Sequence, residues 1–423
     1  MTTLITSAAS ILITLICALL LLNLGGGEKR IGRRVPRFYG TGDDAFMRTM
    51  GILLGPSIVP GNRVQILHNG AQIFPAMIEA IESARVSITF ETFIYWSGDI
   101  GARFASALAA RALAGVRVHI LLDWIGSREI DPALLTQMTE AGAQVTRYHP
   151  LNWYHLGRMN NRTHRKVLVI DGRIGFTGGV GIAPQWEGHA QNPAHWRDMH
   201  FRVEGPVVAQ MQAVFLDNWI KSTGDVLHGA RYFPDLAPVG DSAAQMFSSS
   251  PSGGSESMHL MYLLAITAAE RSIELSVAYF VPDRLTLQAL IEARGRGVRV
   301  RILVPGRHID HRVVRKASRA LWGPLLRAGV EIYEYLPTMY HCKAMVVDER
   351  MVSVGSTNFD NRSFQLNDEA NLNVYDAQFA QAMRGSFEND LKDARAVSLQ
   401  HWQRRPISDR LIGDLAVLVR SQL

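Results

Sequence analysis

His164-Arg165-Lys166-Val167-Leu168-Val169-Ile170-Asp171 and His341-Cys342-Lys343-Ala344-Met345-Val346-Val347-Asp348 decide how this chain is read. Both fit HxKxxxxD, and the second begins 177 positions after the first. Residues two apart on an extended strand share a face, so each His projects beside its Lys while Arg165 or Cys342 points away. The match runs on, since Gly178 follows Asp171 by seven positions and Gly355 follows Asp348 by seven. Two copies in matching contexts point to one duplicated unit, and a single His with a single Lys is half a site.

Outward from the pair, helix and strand patterns alternate. A helical stretch at 74–84 precedes a period-2 apolar run at 86–95, and another at 104–113 precedes a β-rich run at 116–122. The second half repeats the order, with helix at 258–269, strand at 273–281, helix at 285–293 and strand at 298–304. Gly115-Val116-Arg117-Val118 recurs as Gly297-Val298-Arg299-Val300, and Ala141-Gly142 as Ala328-Gly329. These matches predict a duplicated α/β fold in which each half has a mixed sheet flanked by helices and the halves share one pseudo-twofold site. The first domain is expected over 62–221, a linker with Pro234, Pro238 and several glycines over 222–242, and the second domain over 243–400. From Gln378 onward the pattern reads as helix broken near Arg405-Pro406, with a helical tail over 401–423.

The residue types suit attack at an anionic phosphorus centre. Lysines neutralise its oxygens, one neutral imidazole serves as nucleophile, and the other, protonated, donates to the departing alkoxide. His164, Lys166, His341 and Lys343 are therefore the central candidates. The Asp of each copy has the opposite strand parity to its His. Asp171-Gly172 joins two β-rich runs as a type I′ hairpin would, so Asp171 and Asp348 are expected to hold turns. A carboxylate on the far ring nitrogen orients an imidazole, as in a Ser-His-Asp triad. By chain order Glu369 is assigned to His341 and Asp198 to His164. Ser356 and Asn358 are candidate hydrogen-bond donors to phosphate oxygens. His155, His189 and His195 lack partners at metal-ligand spacing, so no metal site is read.

These residues resemble the phospholipase D superfamily over essentially everything after the first segment. Within it the chain is similar to the bacterial cardiolipin synthases through Glu91-Thr92-Phe93-Ile94, the Gly178-Gly179 pair, Tyr279-Phe280-Val281-Pro282 and Ser356-Thr357-Asn358-Phe359-Asp360-Asn361-Arg362-Ser363. The resemblance implies a covalent phosphohistidine on His164 with His341 as acid, although the sequence alone permits the reverse. It also implies no metal or cofactor, substrate contact at Gly178 and Gly179, and transfer of a phosphatidyl group to an alcohol. Phosphatidylglycerol is the expected donor and acceptor, with phosphatidylethanolamine as another acceptor. One departure stands out: Gly181 occupies the place where the family pattern after the first copy often has Asn.

The first residues set the expected location. From Leu4 to Leu24 no side chain is charged, and a helix of that length rises on the order of 30 Å, enough to cross a hydrocarbon core. A cleaved signal peptide is the alternative, but Met1 to Thr3 carry no basic residue. Lys29, Arg30, Arg33, Arg34 and Arg37 follow in a basic juxtamembrane stretch over 25–61, the pattern kept on the cytoplasmic side of an inner membrane. A net charge of +6 suits an anionic membrane or another polyanion. With only two cysteines among 423 residues, no disulfide framework is expected. Trp153 and Tyr154 lie in a loop ahead of His164 suited to lipid headgroups or to capping the site. Phospholipid hydrolysis, nuclease activity and a lipid-binding scaffold are the alternatives to transfer. No nucleic-acid-binding module is seen, and nucleic acid is not an expected partner.

Overall fold

The computed structural model describes residues 5–7, 10–15, 17, 18, 31–150, 161–251 and 257–418. The loop holding Trp153 and Tyr154 lies outside the described residues, as does much of the span expected over 4–24. Among the described residues no helix is long and apolar enough to cross a membrane.

One twisted sheet runs through both halves. From one edge it passes through strands Gln144–Tyr148, Arg117–Asp123, Ser87–Thr92, Val167–Ile170, Ile174–Gly178, Met199–Glu204 and Val59–His68. It continues through Ser242–Ser249, Asn367–Tyr375, Met351–Gly355, Lys343–Val347, Ser272–Val277, Arg299–Pro305, Glu331–Tyr335 and Ala394–Ala396. Apart from the last strand, the second series mirrors the first, so the pseudo-twofold passes between Val59–His68 and Ser242–Ser249. In each half the helix-linked strands are parallel, and the HxK strand forms an antiparallel hairpin.

Burial on both faces explains why the HxK strands read as unbroken apolar runs. Leu168 and Ile170 enter the first-half core with Phe90, Phe104 and Ile120. Met345 and Val347 enter the corresponding second-half core with Leu275, Ile302 and Trp322. The alternate residues Val167, Val169, Ala344 and Val346 face a third core shared by the halves. Helices Val208–Thr223 and Ala377–Leu391 cover that core with Met211, Val214, Phe379, Met383 and Phe387. Each such side chain contributes ~1.5–3 kcal/mol relative to exposure, and His164 and Lys166 extend a strand anchored this way.

Three details differ from the sequence reading. The strand expected over 273–281 ends at Val277 and resumes at Phe280–Val281, which pairs with Phe359–Asp360 rather than the main sheet. The stretch from Gln378 onward is not all helix, because Ala394–Ala396 adds an edge strand to Glu331–Tyr335. Helix Asp44–Leu53, inside the stretch read as juxtamembrane, buries Phe46 and Met50 in the second-half core. Residues 224–241, between the halves, contain neither helix nor strand.

Candidate active site

The site forms where the halves meet. The His164 N–H donates to the Asp368 carbonyl at 2.8 Å, and the His341 N–H donates to the Arg197 carbonyl at 2.8 Å. Each HxK segment is thus bonded, just ahead of its strand, to the other half's chain one residue before an acid.

That register crosses the acids. Glu369 lies 3.1 Å from His164 Nδ1 through either carboxylate oxygen, and Asp198 Oδ2 lies 2.7 Å from His341 Nδ1. The assignment by chain order, Glu369 to His341 and Asp198 to His164, is therefore reversed. Nearness in sequence misled because each half's acid strand projects across the seam.

Both carboxylates are fully buried. Burial alone would raise them, but His341 and Lys343 pull Asp198 below its usual range, as His164 and Lys166 pull Glu369. The remaining acceptor capacity is filled differently on the two sides. Ser356 donates its hydroxyl to Glu369. Asp198 accepts from the Trp186 indole at 2.9 Å and from the Met199 N–H at 2.8 Å. Trp186, which no sequence motif singled out, thus takes the part that Ser356 plays opposite.

The glycines explain that substitution. A Cβ on Gly179, at the position matching Ser356, would come within 2.3 Å of Asp198 Oδ1, and one on Gly178 within 2.7 Å of the His200 Cα. Gly178, Gly179 and Ser356, expected at the substrate, do not line the cavity; Gly178 lets the His200 backbone approach, Gly179 leaves room for Asp198, and Ser356 binds Glu369. Gly181, matching Asn358, backs onto Ile94, and a Cβ there would stand 2.9 Å from Ile94 Cβ and 3.2 Å from Trp186 Cζ3. Ile94 and Trp186 fill the place where an Asn side chain would project.

His164, Lys166 and His341 face one cavity of about 340 Å³. Phe93, Ile94, Trp186 and Trp196 form its apolar wall, while Arg162, Tyr279, Asp310, Asn358, Asp360, Arg362 and Asn367 supply polar groups. Lys166 Nζ donates to the His164 carbonyl at 2.8 Å, and Lys343 Nζ to the His341 carbonyl at 2.8 Å. Lys343 Nζ is also 3.1 Å from each ring nitrogen of His341. Burial pushes His164 down to about 4 and Lys166 down to about 7, with partial opposition from Glu369 in both cases. Burial likewise lowers His341 and Lys343, with Asp198 opposing. His164 is accordingly a neutral imidazole near pH 7.

The signature aspartates stand at the turns, as the strand parity predicts. Asp171 (φ 52°) and Gly172 (φ 63°) occupy a turn closed by the Arg173 N–H on the Ile170 carbonyl at 2.9 Å. The Asp171 carboxylate accepts the N–H groups of Arg85, Val86 and Ser87. Asp348 does the same for Glu270, Arg271 and Ser272, and also accepts from the Thr41 hydroxyl at 2.5 Å. Each therefore clamps its hairpin to the start of the neighbouring strand, away from the cavity lining.

Arg165 and Cys342, pointing away from the cavity, do unlike things. Cys342 is buried in the shared core. Arg165 is fully buried and donates to the Val214 carbonyl at 2.8 Å, to Asp217 at 2.9 Å and to the Ser249 carbonyl at 3.3 Å, and it lies 3.7 Å from Asp368. It ties the first half to the second beneath His164.

The family described as cardiolipin synthase, PLD-like domain matches residues 77–219 and 262–391, more than half of the chain. The chain belongs to this family. Among curated proteins, cardiolipin synthase 1 of Bacillus anthracis is 33% identical to this PLD-like chain, over 84% of it and 71% of the relative. Cardiolipin synthase of Geobacillus sp. (strain WCH70) is 35% identical, over 84% and 71%. Among solved structures, phosphatidylserine synthase of Haemophilus influenzae Rd KW20 superposes with a TM-score of 0.69 at 13% identity, covering 90% of this chain and all of that one. That likeness establishes a shared fold.

Proposed function

We propose that this phospholipase D-type phosphatidyltransferase makes cardiolipin by moving a phosphatidyl group from one phosphatidylglycerol to the glycerol hydroxyl of another. The observation that carries the reading is two imidazoles on one cavity, each held at Nδ1 by a carboxylate from the other half. Holding Nδ1 leaves Nε2 of each ring for chemistry.

In the first step His164 Nε2 attacks the donor phosphorus. The N–P bond forms as the P–O bond to the headgroup glycerol breaks, and His341 gives its Nε2 proton to the departing alkoxide. In the second step the acceptor hydroxyl passes its proton back to His341 while its oxygen bonds to phosphorus. The N–P bond breaks and its electron pair returns to His164. Lys166, Lys343 and Asn358 neutralise or hydrogen-bond the phosphate oxygens. His341 is low in the free protein because burial and Lys343 oppose its charge. A bound phosphodiester anion, together with Asp198, favours the imidazolium that donation requires. No cofactor or metal enters the scheme.

The reading includes an inner-membrane location with the catalytic body on the cytoplasmic side. It is supported by the uncharged run from Leu4 to Leu24, whose described residues Ile5, Ile11, Leu12, Ile13 and Leu15 are helical and exposed. The basic stretch that follows meets the second half through Arg34–Glu292 at 2.8 Å and Arg37–Glu270 at 3.2 Å. An anionic membrane and phospholipids are the partners, with phosphatidylethanolamine as a further acceptor.

Product analysis tests the reading. Purified protein in phosphatidylglycerol vesicles should form diphosphatidyl product with release of glycerol. Phosphatidic acid as the dominant product would replace transfer by hydrolysis, and cleavage of single-stranded DNA by the same preparation would favour a nuclease.

A further inference from the structure

Besides Lys166 and the imidazoles, the cavity lining carries two arginines, along with Asp310 and Asp360. Arg162, His164 and Lys166 alternate along one extended segment, so all three share a face. Arg162 is paired across the seam with Asn367, and Arg362 comes from the short helix Asn361–Gln365 of the second half. Both guanidinium side chains line the cavity. Neither is repeated by the pseudo-twofold. The residue matching Arg162 in the second half is Met339, and the one matching Arg362 in the first half is Gln185. The two extra cations therefore flank the His164 side alone, whereas Trp186 and Trp196 pack against His341 with ring centroids 5.3 and 5.2 Å away.

We propose that Arg162, Arg362 and Asn367 form a second anion subsite beside the phosphoryl-transfer centre, holding the phosphodiester of the acceptor phospholipid. This rests on the transfer reading given above and names how the acceptor is chosen. The reacting phosphate carries one charge, already met by Lys166, Lys343 and the His341 imidazolium. Two further guanidinium groups match a second phosphate, which they can grip through paired N–H donors. Asn367 lines the cavity, and its Oδ1 is buried with no hydrogen-bond partner among the described residues, so a turn of the amide would let it accept from a headgroup hydroxyl.

The local electrostatics fit an anion. Burial lowers both Arg162 and Arg362, and each guanidinium also has a carboxylate partner nearby in Asp123 or Asp360. Burial pushes Asp123 up to about 6 and Asp360 up to about 7, so Asp360 is only partly ionised near neutral pH. A bound phosphate would offer both guanidinium groups a further charged acceptor. About 340 Å³ is in the range of small-ligand pockets and suits two headgroup phosphates joined through a glycerol, with the acyl chains outside. Water and small neutral alcohols have no charge to place there, so the subsite favours a phospholipid acceptor over either.

The test uses the full chain in phosphatidylglycerol vesicles with ethanol present, reading the ratio of cardiolipin to phosphatidylethanol. Both products come from the same phosphohistidine, so the ratio does not depend on how much of a variant folds. Loss of a charged hydrogen bond predicts a fall of ~10-fold or more in this ratio for Arg162→Gln and for Arg362→Gln, with partial recovery in Arg162→Lys and Arg362→Lys. An unchanged ratio in the Gln variants, or equal loss of both products, overturns the subsite. Soluble glycerol 3-phosphate that outcompetes ethanol with the same arginine dependence, while phosphatidylglycerol does not, would reassign it to a free phosphomonoester. A wild-type protein that forms phosphatidylethanol but no cardiolipin would instead overturn the cardiolipin reading and leave phosphatidyl transfer through the phosphohistidine standing.

Discussion

His341 Nδ1 sits 2.7 Å from Asp198 Oδ2, a residue 143 positions earlier and in the other half of the chain. The reciprocal contact joins His164 to Glu369 across 205 positions. In the proposed mechanism each of the two steps therefore depends on side chains from both halves.

Asp198→Asn should keep the fold and lower turnover by on the order of 10²–10⁴-fold, since it removes the charge that supports the His341 imidazolium. Glu369→Gln should act through His164 in the same way. Steady-state assays with a thermal melt of each variant check this, and activity within a few-fold of wild type in Asp198→Asn would show that His341 does not need its carboxylate.

Removing either imidazole should abolish turnover, but the covalent adduct should tell them apart. His341→Ala keeps the nucleophile, so slow phosphatidylation of His164 should be trapped by acid quench and mass spectrometry. His164→Ala should give none. An adduct on His341 in the latter variant would reverse the assigned roles.

The pH profile follows from three lowered groups, His164, Lys166 and His341. His164 must be neutral and titrates at about 4, so kcat/KM should rise with pH through that region. Lys166 must be charged and titrates at about 7, and His341, lowered by burial and Lys343, must be protonated, so kcat/KM should already be falling as pH rises to and through that value. Bound phosphate stabilises the ammonium, which moves the alkaline limb of kcat higher than that of kcat/KM. A kcat/KM profile flat from pH 6 to 9 would remove Lys166 from the titrating set.

Arg165 has partners on both sides of the seam and no exposure. Arg165→Met leaves Asp217 and Asp368 without it and should cost about 3–5 kcal/mol of stability. Denaturant unfolding measures the loss, and a midpoint equal to wild type would mean that the seam does not rely on this residue.

Gly181→Asn, which restores the common family residue, should destabilise by ~1–3 kcal/mol because Ile94 and Trp186 already fill the space. Adding Ile94→Ala should recover part of the melting temperature. Full stability of the single variant would show that the packing there is loose.

Much of this arrangement could be read from residue order. Alternating periodicity located most elements, the two HxK copies located the centre, and strand parity separated His and Lys from the aspartates at the turns. The pairing of Glu369 and Asp198 could not be read that way, because it depends on which strand edges meet at the seam. Trp186 had no motif to mark it, and its role appears only once Gly179 lets Asp198 come close. Arg165 pointed away from the site as strand parity predicts, but its partners on helix Val208–Thr223 and on strand Ser242–Ser249 are remote in sequence.

Because each imidazole borrows its carboxylate from the opposite copy, half of this polypeptide is not half of an enzyme. Damage to either copy would reach both imidazoles, so on this mechanism neither copy could decay into a passive scaffold while the other carried on. The duplicated halves have been free to differ in what surrounds the carboxylates, a serine on one side and a tryptophan on the other, but they remain bound to a common inheritance.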